Sequence, residues 1–208
     1  MISQARVQEL LEPFSLKLNA GQIDLLLAYL NLLLRWNEKI NLTAIRDPEE
    51  CVTRHFGESL YISQLGVLAG PLLDVGSGAG FPGLAIKLIY PAISVTLLEP
   101  VAKKRAFLKE ITRACGFKEV EVRADRLQEF VKQAAVSSFG TLTARAVGGI
   151  AAIAGGANRL LRSGGRLCLW IGTDQLATLA GEKPAFKWLD PAPLPDSRQR
   201  VIAIGLKH

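Results

Sequence analysis

Two carboxylates frame a run of glycines in this chain. Asp74, Gly76, Gly78 and Gly80 alternate as D-x-G-x-G-x-G, and a second acid, Glu99, closes the next apolar run, Ile93 to Leu98. Glycines in such a run allow a ligand to lie against bare backbone, where a Cβ would collide with it. Gly78, Gly80 and Gly83 also satisfy G-x-G-x-x-G, so the glycines alone leave a dinucleotide and S-adenosylmethionine both open. The acids discriminate. Glu99 can accept both hydroxyls of a ribose in either class. Asp74 would repel a pyrophosphate beside its turn, whereas the sulfonium and amino groups of S-adenosylmethionine are cationic. Two acids around one glycine loop therefore favour the methyl donor. Further on, Asp125-Arg126-Leu127-Gln128-Glu129 falls where an adenine ring would lie, with backbone groups and Leu127 to hold the base edge. Arg145 ends the apolar run Thr141 to Ala144 and puts a cation on the substrate side of the same cleft.

A parallel sheet is what brings such residues together. Leu72 to Val75 reads as a buried strand, Leu84 to Ile89 as a helix and Ile93 to Leu98 as a second strand. Both acids then fall at carboxyl ends of parallel strands, where open sheets bind ligands. Val101 to Arg113 is expected as a helix with Ala102, Ala106, Phe107 and Ile111 on its apolar side and Lys103, Lys104, Arg105, Lys109 and Arg113 in solvent. Strands follow at Val120 to Val122, Thr141 to Ala144, Arg166 to Ile171, Lys183 to Leu189 and Val201 to Ile204, with a helix from Ile150 to Leu161. Residues 190–196, rich in proline, are expected as a stiff exposed loop. Ahead of the sheet, residues 1–66 read as all-helical. Ile23, Leu26, Leu27, Leu30, Leu33 and Leu34 form a packing stripe, and Asp47-Pro48-Glu49-Glu50 is a helix start that leads to Arg54 and His55. The expected fold is α/β: a helical extension over 1–66, then a Rossmann-like domain over 67–208 with a mostly parallel seven-stranded sheet and an antiparallel last strand.

Composition narrows the function. The 208 residues, 49% hydrophobic and 21% charged, allow one sizeable core plus an appendage. A dehydrogenase of this layout would need a substrate domain for which little chain remains. The net charge of +6 suits a polyanionic partner such as nucleic acid, and Arg54, Arg198 and Arg200, beyond the cofactor loop, are candidates to meet its phosphates. Cys51, Cys115 and Cys168 are odd in number and far apart, and no second histidine lies near His55, so neither disulfides nor a metal is expected. Leu25 to Leu34 is too short to span a bilayer and residues 1–13 lack a signal-peptide core, so a cytoplasmic protein without a membrane partner is expected.

The chain resembles the small-subunit ribosomal RNA methyltransferase G family, formerly glucose-inhibited division protein B. The likeness rests on Arg35-Trp36-Asn37, Asn41-Leu42-Thr43, Arg46-Asp47-Pro48, Arg54-His55, the run from Asp74 to Gly83, Lys104-Arg105 with Phe107-Leu108, and Arg145-Ala146. The resemblance implies a class I fold and methyl transfer from S-adenosylmethionine to N7 of a guanine in 16S ribosomal RNA, free or in the small subunit; a monomer is expected. By position, Gly76, Phe81, Leu127, Gln128 and Arg145 match the family's cofactor-contacting sites, and Asp74, Gly78 and Glu99 join them from their own chemistry; Arg145, His55 and Asn41 are the expected catalytic positions and Lys104 an expected RNA contact. The chain departs from the family pattern at Ala144 (commonly Ser), Gln128 (commonly Glu) and Ile171-Gly172 (commonly Lys after the fifth strand). Guanine N7 is an unprotonated acceptor, so it needs no general base, which agrees with the lack of an acid/base cluster. Cytosine C5 chemistry would need a cysteine in a context none of the three has, and adenine amino methylation an Asn/Asp-Pro-Pro-aromatic tetrad that is missing after the fourth strand. The missing lysine keeps a second reading open: a non-catalytic RNA-binding module on the same fold.

Overall fold

The structure, a computed structural model, describes residues 2–146, 148–180 and 185–208. The first helix, α1 (Gln4–Leu11), starts at Ser3, whose side chain accepts from Arg6 N. In α2 (Ala20–Asn37), Asn19 and Gln22 form a reciprocal capping box. Asp47 accepts from Glu50 N at 2.8 Å, as its sequence context requires. The rod it opens is not uniform: α3 (Pro48–Glu50), a π-helical stretch (Cys51–Gly57) and α4 (Glu58–Leu60) follow one another without a break.

Strands β1 (Leu72–Val75), β2 (Val95–Leu98), β3 (Val120–Arg123), β4 (Phe139–Arg145) and β5 (Leu161–Gly172) are parallel. The last strand, β8 (Arg200–Lys207), lies antiparallel between β5 and β6 (Phe186–Trp188), giving the order β3-β2-β1-β4-β5-β8-β6. These are the seven expected strands. An eighth, β7 (Ala192–Pro193), also pairs with β8, and Leu194 beside it is buried, so residues 190–196 are not simply an exposed loop. Pro193 is tolerated there because β7 is an edge strand. Lys183 and Pro184, at the expected start of the sixth strand, lie outside the described residues.

Helices α5 (Gly83–Ile89), α6 (Ala102–Ala114), α7 (Leu127–Gln133), α8 (Ile150–Leu160) and α9 (Leu176–Ala180) complete the layers. Side chains alternate across the sheet, so Leu72 and Leu73 serve different cores. Leu73, Leu98, Leu142 and Leu169 pack against α7 and α8. Leu72, Val95, Leu97 and Trp170 share the other core with Leu84 of α5, Phe107 and Ile111 of α6, and Leu26, Tyr29, Leu30 and Leu33 of α2. The N-terminal helices thus form part of one layer of the sandwich. On α6, Ala102 and Ala106 are exposed and Leu108 is buried, a rotation of the expected apolar stripe. The order reversal falls between β1 and β4, so a crevice opens at the carboxyl end of β1, over the glycine run.

Candidate active site

Asp74 is 0% exposed at the end of β1. Its Oδ1 accepts from the Thr143 hydroxyl at 2.7 Å, while Oδ2 is buried with no hydrogen-bond partner. Burial pushes this carboxyl up to about 6, against the Thr143 bond. Asp74 therefore lies beneath the loop as a buried, half-satisfied charge. The glycines above it divide the work. Gly78 is at φ +56° with open space where a side chain would stand, its nearest neighbour being Gly76 O at 3.8 Å. Gly80, at φ +91°, needs to be bare for a different reason: a Cβ there would run into the Tyr29 hydroxyl.

Glu99 is 4% exposed and already accepts two backbone amides, Gly78 N at 2.9 Å on Oε2 and Val101 N at 2.8 Å on Oε1. Each carboxylate oxygen has a second lone pair, so capacity for a ligand hydroxyl remains. Beside it a cavity of about 240 Å³ is lined by Gly76, Leu98, Pro100, Leu127, Gln128 and Gly149, among others. Leu127 is buried, and Gln128, next in the chain, is exposed.

The N-terminal helices reach this loop. Tyr29 donates to Ala79 O at 2.6 Å and stacks on Phe81, with centroids 5.3 Å apart. His55 stacks on the same ring at 4.8 Å, and Thr43 Oγ1 lies 2.8 Å from its Nε2. Burial, then the charges of Arg145 and Arg54, push His55 down to about 3, so the ring is neutral at working pH. The 38–46 turn is held by Asn37, which accepts from Leu42 N and Thr43 N and donates to Thr43 O.

At the end of β4, Arg145 is engaged by the rod over 48–60. It donates to Arg54 O at 2.6 Å, to Ser59 Oγ at 3.1 Å and to His55 O at 3.4 Å. Arg54 O and His55 O both belong to the π stretch, and His55 O also accepts from Glu58 N. Glu58, 3% exposed, pairs with Arg145 at 3.4 Å, Arg54 at 3.1 Å and Arg200 at 2.9 Å. Burial pushes Arg145 down to about 10, which leaves it charged at neutral pH.

Residues 22–190 match the family described as rRNA small subunit methyltransferase G. The chain belongs to that family. A ribosomal RNA small subunit methyltransferase G of Xylella fastidiosa is 43% identical over 73% of this chain and 70% of that protein. The protein of that name from Syntrophotalea carbinolica is 40% identical over 85% of this chain and 82% of its own. Among solved structures, a SAM-dependent methyltransferase from Aquifex aeolicus superposes with a TM-score of 0.64 over 81% of this chain and 97% of that one, at 14% identity. The fold is thus class I.

This member of the methyltransferase G family is an enzyme whose methyl donor is S-adenosylmethionine, and its cleft fits that donor. The 240 Å³ cavity, the free capacity of Glu99, the space over Gly78 and the orphaned Asp74 oxygen all lie at the carboxyl ends of β1 and β2. Of the residues expected at the site, Asp74, Gly76, Gly78, Glu99, Leu127 and Gln128 gather around the loop and this cavity, with Phe81 buried in the aromatic stack. His55, Arg54, Arg145 and Arg200 gather next to them. Asn41 is exposed, and its neighbour Asn37 makes the turn's hydrogen bonds. Arg198 is exposed, and Lys104 is half-buried beside Arg105, which donates to Glu99 O. Sequence reasoning missed Tyr29, Asn37, Glu58, Ser59 and Thr143. Tyr29 and Glu58 sit in helices whose pattern signals packing, and only their tertiary partners distinguish them. Among the described residues no group of three or more His, Cys, Asp or Glu sits to hold a metal, and no helix is long and apolar enough to cross a membrane.

Proposed function

We propose that this enzyme methylates N7 of a guanine in 16S ribosomal RNA. The observation that carries the reading is a donor cavity and, beside it, a cavity lined by Arg54, Arg145 and Arg200, with His55 held neutral and poorly basic and Arg145 charged at neutral pH. S-adenosylmethionine supplies an electrophilic methyl on a sulfonium, which the N7 lone pair takes in a single displacement without prior deprotonation. Glu99 holds the ribose hydroxyls, Gly76 and Gly78 present bare backbone, and Leu127 with the backbone at Gln128 flanks the adenine. Asp74 favours the cationic end of the donor from beneath the loop. Arg145 and His55 orient the extension against Phe81 and so hold the substrate side in place. Asn41, Arg54, Lys104, Arg198 and Arg200 face the RNA. On this reading residues 1–66 form the positioning extension and 67–208 the donor-binding part, the working unit is a cytoplasmic monomer, and the partner is the small-subunit RNA.

Labelled methyl transfer to 16S RNA or small subunits, followed by chemical cleavage at N7-methylguanine, tests this. Cleavage at one guanine is expected, together with a rise in melting temperature with S-adenosylhomocysteine. Binding of the RNA without any methyl transfer would instead make the chain a binding module.

A further inference from the structure

On the far side of Arg145 from the donor cleft, the carboxyl ends of β4 and β5 and the first residue of β8 enclose a cavity of about 250 Å³, lined by Arg54, Glu58, Arg145, Trp170 and Arg200 among others. That is below the ~300–1,000 Å³ that houses a whole drug-sized ligand, and suits a small charged group. Three guanidiniums face one carboxylate, so the lining carries an excess of two positive charges. Like charges so close are costly unless an anion meets them. Glu58 meets them only in part. Arg54 Nε lies 3.1 Å from Glu58 Oε1, yet its N–H is not aimed there and remains buried without an acceptor. Arg54 turns its Nη1 outward to Glu50 at 3.4 Å, at an exposed pair. A carboxylate has about four acceptor sites; three guanidiniums have some fifteen donors, and even after the bonds to Arg54 O, His55 O, Ser59 Oγ, Ser197 Oγ and Glu50 are counted, donors stay in excess.

The cluster is built rather than incidental. The Glu58 backbone is pinned to β5 by the Trp170 indole, which donates to Glu58 O at 2.8 Å. Arg200 is steadied by Ser197 Oγ at 3.0 Å, and Arg145 by the two carbonyls and the hydroxyl of the 48–60 rod. The Arg145 fork is committed to the rod, so Arg54 and Arg200 are the ones left to offer the planar donors that suit phosphate oxygens.

We propose that this cavity seats one phosphate of the substrate backbone, with Glu58 as the positioning residue that holds the three arginines apart and aligned until it arrives. The inference rests on the RNA reading above and deepens it. A seated phosphodiester accepts the donors that Glu58 leaves over, and fixes the register of the strand one β-strand away from the glycine loop. The same chemistry would recognise a free phosphate ion, and the two sources are separable.

Binding of 16S RNA to the S-adenosylhomocysteine complex is measured against salt for the full chain, Arg200→Gln, Arg200→Lys and Glu58→Gln, beside the methyl-transfer KM and kcat. Arg200→Gln is expected to lower the slope of log K against log salt by about one unit and to raise KM for RNA about tenfold at unchanged kcat. Arg200→Lys restores the slope but not the KM, because the charge returns without the fork. Glu58→Gln raises the slope by about one unit, since one guanidinium loses its internal counter-charge. Should Glu58→Gln not fold, the Arg200 pair decides alone. An unchanged slope in Arg200→Gln overturns the proposal. Millimolar inorganic phosphate that raises the melting temperature of the full chain but not of Arg200→Gln, with the RNA slope unmoved, would assign the cavity to a free ion and overturn the RNA assignment. Slopes are read from binding, so they remain informative even if no methyl transfer is found, an outcome that would sink the enzyme reading instead.

Discussion

At the residue scale, two buried titratable groups have opposite effects on stability. Asp74 has its carboxyl raised from 3.8 to about 6, so the folded state holds that proton more tightly than the unfolded chain. Its ionisation therefore removes stability as pH rises through that window, on the order of 2–3 kcal/mol. His55 is lowered from 6.5 to about 3, so its contribution is complete above 6.5 and is lost as pH falls. The two largely cancel between about pH 4 and 6 in the intact protein. Asp74→Asn is expected to unmask the acid loss, with the melting temperature falling from pH 6.5 to 4. His55→Phe is expected to reverse the trend, with stability rising as pH falls from 6 to 4. Melting curves from pH 4 to 8 decide, and variants that both track the parent would refute the assignment. The glycines separate similarly. Gly78→Ala should cost about 1 kcal/mol for its left-handed backbone while abolishing the thermal shift from S-adenosylhomocysteine. Gly80→Ala should destabilise the fold itself, because its Cβ meets Tyr29 rather than ligand space.

At the element scale, the rod over 48–60 is tied to the sheet through one guanidinium and one indole. Arg145 donates to two carbonyls of the π stretch, Arg54 O and His55 O, and Trp170 to Glu58 O. Lysine at 145 keeps the charge but cannot span Arg54 O, His55 O and Ser59 Oγ together. Arg145→Lys is expected to lower methyl transfer at least tenfold while melting stays cooperative, and to raise amide exchange selectively over 48–60. Arg145→Ala is expected to lower it further. Full activity in Arg145→Ala, with unchanged exchange, would remove Arg145 from the site. On the neighbouring helix, Tyr29 meets the loop through its hydroxyl and through its ring on Phe81; Tyr29→Phe keeps the stack but strands Ala79 O, at a cost of about 1–3 kcal/mol.

At the scale of the whole molecule, α2 and the 48–60 rod share a core with α5, α6 and the sheet. Removing residues 1–66 would uncover Leu84, Phe107, Ile111 and Trp170, a contiguous apolar face that water does not tolerate. A chain of residues 67–208 is expected to aggregate or to lack a cooperative melt by calorimetry. A truncated chain that melts cooperatively and still responds to S-adenosylhomocysteine would show that the extension is dispensable for folding.

The donor half of the site was legible in the amino-acid order because its signals are local. The alternation from Asp74 to Gly80, the acid at Glu99 and the cation at Arg145 all sit at strand ends, and strands of period two with short helical crossovers leave little choice of where those ends meet. The family resemblance came from the same contiguous motifs. The other half depended on long-range placement. Nothing local distinguishes Tyr29 from the leucines of its stripe, yet its hydroxyl meets Ala79 O fifty residues on. Glu58 reads as an ordinary helical acid until α4 docks on β5 and three arginines from separate elements converge on it. The division at residue 66 follows a change in periodicity, whereas the core crosses that point because the apolar faces on both sides can be buried only against each other. Local pattern determined which residues stand at the cleft. Burial and charge, which exist only once distant segments pack, decided which of them bear on a ligand and which hold the others in place.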